Sequence, residues 1–104
     1  MSSDVSVVQQ ISAAMSVCNL QHQVTVTNIA NRDTQGFQRL KLHFDSAMEQ
    51  VSAPRIVTDR SQAPVPVEQD LVNMSTNLMH YQVMARSLGR YFTLIAAITN
   101  PNRG

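Results

Sequence analysis

The side chains best suited to chemistry in this chain are Cys18 and His22, which lie four positions apart. On a helix this spacing places both on one face, where a thiolate and an imidazole could begin a metal site or act as a nucleophile and its base. A metal site needs further ligands, and His43 and His80 belong to other segments of the chain. We therefore expect Cys18 and His22 to pack in a helical seam, with no bound metal.

The remaining polar residues form no recognisable catalytic constellation. The seven acidic residues are dispersed, and the three glycines form no phosphate-binding loop. Arg86 and Arg90 are i, i+4 neighbours, which favours a solvated stripe, or else an ion pair with a neighbouring subunit. We expect a protein that is not an enzyme and that carries no cofactor.

The composition narrows the choice of partners. Charged residues make up 14% of the chain, compared with about 25% in an ordinary soluble domain. The net charge is +1 and the basic residues form no run, which argues against nucleic acid as a partner. Apolar runs fall short of the roughly 20 residues that cross a bilayer, so we expect no direct membrane insertion. The opening MSSDVSVVQQ has no basic segment followed by an apolar one, so we expect no cleaved signal peptide.

Two segments carry the alternating three- and four-residue spacing that predicts long helices with a coiled-coil seam. The first spans about residues 4–31, and its seam comprises Val8, Ile11, Met15, Cys18, His22, Thr25 and Ile29. The second spans residues 67–99, and its seam comprises Leu71, Met74, Leu78, Tyr81, Ala85, Leu88, Phe92 and Ile95. Pro66 suits the first helical position, and Asn100-Pro101 ends the second helix.

The middle region, residues 32–66, has a different character. Polar and apolar residues alternate from Arg39 to Asp45, which predicts a short extended segment. Residues 45–51 could form one or two helical turns, and the three prolines between Ser52 and Pro66 favour a loop. The sequence therefore predicts a single all-α domain over residues 1–104, in which two terminal helices form a coiled-coil-like pair joined by an irregular middle region.

Both predicted helices lack the charged outer face of an ordinary surface helix. Asp, Glu, Lys and Arg are all absent from Val5 to Asn31 and again from Leu71 to Ala85. Uncharged polar residues occupy the positions that we expect to face outward: Gln9, Gln10, Ser12, Ser16, Asn19, Gln21, Gln23, Asn73, Ser75, Thr76 and Asn77. Such side chains can be buried at lower cost than ions. This composition favours helices that pack among other helices in an assembly, and a solvated helical hairpin is the alternative.

A distinctive segment closes the first helix. Its candidate assembly residues are Asn28, Ile29, Ala30, Asn31, Asp33, Thr34, Gly36 and Phe37. Asn31 and Asp33 are residue types that bond nearby backbone groups where a helix ends, and Gly36 can adopt a positive φ. Phe37 would then fold back onto an apolar patch. Taken alone, this pattern indicates an ordinary helix stop and turn.

The segment from residue 28 to 37, NIANRDTQGF, resembles a signature of the flagellar basal-body rod, hook and hook-associated axial proteins. In that family an N-I-A-N segment closes the N-terminal helix, and a turn of the form D/N-T-x-G-F/Y follows. Residues 67–74 and 78–82 are similar to the family's terminal helix, and residues 88–98 are most like the ending of its proximal rod members. This chain has Gln35 where Pro is usual and a shorter middle region than the proximal rod members.

The resemblance implies a fold in which the terminal segments form a helical coiled coil and the variable middle lies outside its core. It implies a structural subunit that assembles through its terminal helices into the axial drive shaft of the flagellum. The implied partners are other rod and basal-body proteins, copies of the chain itself among the candidates, and the flagellar type III export apparatus. The implied location is the periplasm-spanning rod, reached without a cleaved signal peptide. The alternative function is a soluble helical-hairpin adaptor that binds a partner helix.

Overall fold

The computed structural model describes residues 2–44, 54–61 and 63–99, with side chains from Ser6 onward. Four elements follow one another along the chain: α1 (Ser2–Ala30), β1 (Leu40–His43), β2 (Arg55–Thr58) and α2 (Val67–Thr99). The two long helices pack against each other, and β1 packs against α1. The predicted pair of terminal helices joined by an irregular middle is confirmed.

Helix α1 runs unbroken through the β-branched segment 24–27, which by propensity alone is unfavourable in a helix. Val24 and Thr25 are in fact among the most buried residues described, at 2% and 4% exposed. Tertiary packing of this segment against its surroundings therefore outweighs its intrinsic preference. The helix begins two residues before the predicted start and ends one residue before the predicted end, at Ala30.

Helix α2 has the predicted bounds, Val67–Thr99. Pro66 lies one position before the helix, and its carbonyl oxygen accepts hydrogen bonds from the N–H groups of Gln69 and Asp70, at 3.1 and 3.4 Å. Proline suits this place because its fixed φ is compatible with helix initiation and its missing N–H removes no helical bond. The first hydrogen bonds of the helix therefore close onto the carbonyl of Pro66.

The middle region contains a second strand that the sequence did not predict. The extended segment predicted from Arg39 is confirmed as β1, and β2 pairs with it in antiparallel register, with Leu40 opposite Thr58 and His43 opposite Arg55. The prediction of a loop from Ser52 to Pro66 is therefore wrong at Arg55–Thr58. The helical turns considered for residues 45–51 lie outside the described residues.

Most residues of the predicted seam of α1 are at least partly buried. Val8, Ile11, Met15, Cys18 and Ile29 are half-buried and Thr25 is buried, whereas His22 is exposed.

The predicted seam of α2 consists of two lines of residues spaced seven apart. One line is partly buried as predicted, and the other is replaced by the line that lies one residue earlier in the sequence. Met74, Leu88 and Ile95 are half-buried as predicted, and Tyr81 shares their line at 39% exposed. Leu71, Leu78 and Phe92 are about half exposed, and Ala85 in the same line is also exposed. The line that turns inward instead is the one a residue earlier, comprising Asp70, Asn77, Met84 and Tyr91.

Candidate assembly interface

The end of α1 is tied to the hairpin through the side chain of Asn28, which is 3% exposed. Its Nδ2 donates a hydrogen bond to the carbonyl oxygen of Leu40 at 3.0 Å, and its Oδ1 accepts one from the N–H of Leu40 at 2.8 Å. A buried amide with both of its polar atoms paired stabilises one arrangement and penalises others, because an unpaired group would remain desolvated. Asn28 thus holds β1 against the last turns of α1.

Asn31 terminates the helix through its own side chain. Its Nδ2 donates to the carbonyl oxygen of Thr27 at 2.9 Å, and its Oδ1 accepts a hydrogen bond from the Thr34 hydroxyl at 3.3 Å. The N–H of Thr34 also bonds the Asn31 carbonyl, at 2.9 Å. The Thr27 carbonyl also accepts the backbone N–H of Asn31, at 3.1 Å, so backbone and side chain of Asn31 together close the last turn. The chain therefore leaves α1 in a defined direction.

The turn that follows depends on Gly36, whose φ is +82°. The N–H of Phe37 donates to the Thr34 carbonyl at 3.1 Å, which closes the turn around this glycine. A residue with a Cβ is strained at such a φ, so the glycine has a conformational reason to be here. Phe37 is half-buried. The expected positive φ of Gly36 and the helix-ending role of Asn31 are thus both present in the structure.

The other residues of the NIANRDTQGF segment are more open. Ile29 is half-buried, whereas Ala30, Asp33 and Thr34 are exposed. The segment therefore combines buried residues that set the geometry of the joint with exposed residues that are accessible to a neighbour.

A bidentate ion pair fastens the start of α2 to the hairpin. Arg39 Nη1 and Nη2 donate to the two carboxylate oxygens of Asp70, each at 2.9 Å. Asp70 is 5% exposed, and this hydrogen-bonded pairing is the main cause that raises the pKa of Arg39 above its ordinary value. Arg39 Nε is buried and has no hydrogen-bond partner within the described part of the chain. The planar fork of arginine matches a carboxylate in a way that lysine does not.

Asn77 makes a direct hydrogen bond across the helix pair. Its Nδ2 donates to the carbonyl oxygen of Cys18 in α1 at 2.8 Å, and Asn77 is half-buried. We predicted that Asn77 faces outward, and that prediction is wrong because the amide finds an acceptor on the facing helix. Gln21, also predicted outward, is half-buried, and its Nε2 donates to the hydroxyl of the buried Thr25 at 3.2 Å.

We did not identify Arg39, Asp70 and Asn77 from the sequence as residues that join α2 to the hairpin and to α1. The one available signal was that Asp70 is acidic and lies in the first turn of α2, where a carboxylate interacts favourably with the helix dipole. Nothing in the spacing linked Asp70 with Arg39, since they lie 31 positions apart and both strands come between them.

Large apolar side chains remain exposed on more than one side of α2. Leu71, Leu78 and Phe92 share one line, since they lie seven or fourteen positions apart, and they are 45–52% exposed. Val83 and Leu94, eleven positions apart, share a different line and are 59% and 57% exposed. Several exposed large apolar side chains on one helix are typical of a site that contacts another protein.

The side chains considered for chemistry show no arrangement that supports it. Cys18 and His22 line a small cleft between the helices together with Tyr81 and Leu78. Within residues 2–44, 54–61 and 63–99, no three His, Cys, Asp or Glu side chains lie close enough to hold a metal ion. Arg86 and Arg90 are exposed and line an open groove with Gly89 and Leu94. Neither α1 nor α2 contains a stretch long and apolar enough to cross a membrane.

Comparison of this chain with protein-family models, with curated proteins and with solved structures gave no match.

Proposed function

We propose that this protein is a structural subunit of the bacterial flagellar basal-body rod, and that it assembles through α1 and α2 into the axial drive shaft. The observation that carries the proposal is the exposed apolar line of Leu71, Leu78 and Phe92 on a helix that has no charged residue from Leu71 to Ala85. The two-helix pair leaves about half of the surface of each of these side chains exposed. Neighbouring helices in a shaft would cover it.

The energetics of burial favour such neighbours. Removing apolar surface from water stabilises an assembly by about 25 cal/mol per Å². The uncharged polar residues that surround the apolar line, such as Ser75 and Gln82, can enter a helix–helix interface without the cost of desolvating an ion. A helix that functioned alone in water would normally carry charges on these faces.

The joint between the helices and the hairpin also suits an axial subunit. Asn28 and the Arg39–Asp70 pair hold the hairpin near the end of α1 and the start of α2. The remaining length of both helices is then available to neighbours. The resemblance of the segment from residue 28 to 37 to the axial-protein signature supports the same assignment.

On this proposal the protein acts mechanically rather than as an enzyme. Interlocked helices transmit torque from the rotor outward, and the partners are other rod proteins and further copies of the chain. The subunit reaches the basal body through the flagellar export apparatus, and the middle region lies outside the shaft core.

Deletion of the gene in the source bacterium tests the proposal. The deletion strain should lack a complete rod when its basal bodies are viewed by electron microscopy, and it should lose swimming or swarming motility. Supplying the wild-type chain from a plasmid should restore both. Complete rods in the deletion strain would overturn the proposal, and a stoichiometric complex with one other protein would then favour the helical-hairpin adaptor.

A further inference from the structure

The outer edge of β2 has hydrogen-bonding groups that the described part of the chain leaves without a partner. The N–H of Asp59 donates to the carbonyl of Arg39 at 2.7 Å. The odd-numbered residues of β2 therefore direct their backbone N–H and C=O groups toward β1. In an antiparallel pair the intervening residues point their N–H and C=O groups away from the partner strand. Ile56 and Thr58 therefore present their backbone groups to the outer edge.

The corresponding edge of β1 shows what covers such groups. Leu40 lies opposite Thr58, and its outward N–H and C=O are both bonded by the side chain of Asn28. No described residue does the same for Ile56 or Thr58. Ile56 is also 43% exposed, although its cross-strand neighbour Leu42 is half-buried. Open strand edges of this kind are templates for another strand.

We infer that β2 pairs with β2 of a second copy of this chain, antiparallel and centred on Val57, to form a continuous four-stranded sheet. The register follows from the outward backbone groups of Ile56 and Thr58. Both residues form hydrogen bonds to the second copy when Ile56 lies opposite its Thr58. Two-fold symmetry then repeats that pair and yields four backbone hydrogen bonds. Val57 lies opposite Val57 of the second copy.

Charge complementarity selects the second copy as the occupant. In this register Arg55 lies opposite Asp59 of the second copy, and symmetry creates the same pair again. Arg55, Val57 and Asp59 all occupy positions without hydrogen bonds to the second copy, where opposed side chains lie closest together. Opposite charges placed across two strands stabilise the pairing, whereas like charges oppose it. Arg60 lies opposite Pro54 and gains no ionic partner.

This inference does not rest on the proposed function, since it concerns a face of the hairpin that neither helix contributes to. The interface is small, because it involves one short strand from each copy, and we expect a weak, reversible dimer. Covalent trapping is therefore the appropriate measurement.

Val57→Cys in a Cys18→Ser background tests the pairing with the full-length protein. Opposed residues without mutual hydrogen bonds have Cα atoms about 4.5 Å apart, which lies within the range of a disulfide. Lys41→Cys in the same background is the matched control, since Lys41 is the cross-strand neighbour of Val57 on β1. The two copies of position 41 would be separated by three strand spacings, about 14 Å.

Under mild oxidation, Val57→Cys should form a covalent dimer, and Lys41→Cys should remain monomeric. Adding Arg55→Glu should slow dimer formation by about tenfold, and adding Asp59→Arg to that variant should restore it. Arg60→Glu, with the same change in charge, should leave the rate unaltered. Equal cross-linking of the Val57 and Lys41 variants, or equal effects of Arg55→Glu and Arg60→Glu, would overturn the inference. Circular dichroism of each variant establishes that it is folded.

Discussion

Asn28 bonds both backbone groups of Leu40, and in doing so it converts the end of a helix into a docking point for a strand. Asn28 lies two residues before the end of α1. Its side-chain oxygen accepts a hydrogen bond from the N–H of Leu40, and its side-chain nitrogen donates one to the carbonyl of Leu40. The same motif then turns the chain through Gly36 and delivers Arg39 to Asp70 at the start of α2. One short segment thus fixes how both helices meet the hairpin.

Replacement of Asn28 by Ala should destabilise the protein by about 1–3 kcal/mol, because two backbone groups of Leu40 would lose their partner. Asn28→Asp should also destabilise it, since the carboxylate can accept from the Leu40 N–H but cannot donate to the Leu40 carbonyl. Urea denaturation followed by circular dichroism measures both changes. Asn19→Ala, at an exposed position of the same helix, is the control and should change stability by less than about 0.5 kcal/mol. Equal effects at the two positions would contradict the role of Asn28.

The ion pair of Arg39 and Asp70 should behave as a coupled unit. Arg39→Lys retains the positive charge but loses the planar fork, so we expect a loss of about 1–2 kcal/mol in the free energy of unfolding. A double-mutant cycle with Arg39→Ala and Asp70→Ala should give a coupling energy of about 1–3 kcal/mol. Additive losses in that cycle would show that the two side chains do not stabilise each other.

The two helices were predictable because strong local signals mark them. Three- and four-residue spacing extends through both, and Pro66 marks the start of α2. Strand β1 was predictable from its alternating pattern. Strand β2 was not, because Arg55–Thr58 contains two adjacent β-branched apolar residues without alternation, and the strand exists through its pairing with β1.

The rotation of α2 was also beyond the reach of the sequence pattern. Leu71, Leu78 and Phe92 have the seven-residue spacing of a helix seam. The line that actually faces α1 has the same spacing, so spacing alone does not distinguish the two. Two polar contacts distinguish the lines: Asp70 turns inward to Arg39, and Asn77 turns inward to the carbonyl of Cys18. Such long-range partners leave no local signature, and a helix with apolar residues on several sides offers several equivalent seams.

The two described glycines should respond in opposite ways to substitution by alanine. Gly36→Ala should destabilise the protein by about 1 kcal/mol because of the positive φ, although a Cβ there would meet no atom within 4 Å. Gly89→Ala should stabilise the isolated protein by about 0.5–1 kcal/mol, because Gly89 lies inside α2 and a Cβ there also meets open space. Thermal unfolding of the two variants measures both effects. Destabilisation by Gly89→Ala would contradict the described environment of α2.

Because of Asp59, we expect the free energy of unfolding to fall at acid pH. Its pKa lies below the ordinary value of 3.8, chiefly because its carboxylate accepts a hydrogen bond from the backbone N–H of Ser61. A lowered pKa in the folded state means that the ionised form favours folding. This contribution is present above about pH 4 and is lost as the pH falls through the folded-state pKa.

Asp59→Asn should therefore weaken the loss of stability as the pH falls below about 4, because the amide oxygen accepts the same hydrogen bond without titrating. Ser61→Ala should leave most of the pH dependence in place, since it retains the backbone N–H. Urea denaturation at a series of pH values measures both. Parallel pH profiles for Asp59→Asn and the wild-type protein would show that Asp59 contributes no such dependence.

Charge introduced on the exposed apolar line of α2 should impair assembly with little effect on the isolated fold. Leu78 is 52% exposed and its covered part lines the cleft with Cys18, so Leu78→Glu should lower the free energy of unfolding by only about 1 kcal/mol. In an assembly the same carboxylate would be desolvated, and complementation of a deletion strain should fail. Gln38→Glu, at an exposed position before β1, should complement fully. Full motility with Leu78→Glu would contradict burial of this line.

Mass spectrometry of hook–basal bodies purified from the source bacterium tests the central claim most directly. If the chain is a rod subunit, its peptides should be present and should remain in stoichiometric amounts after the hook and filament are removed. Absence of the chain from intact basal bodies would contradict the account and leave the helical-hairpin adaptor as the better explanation of the fold.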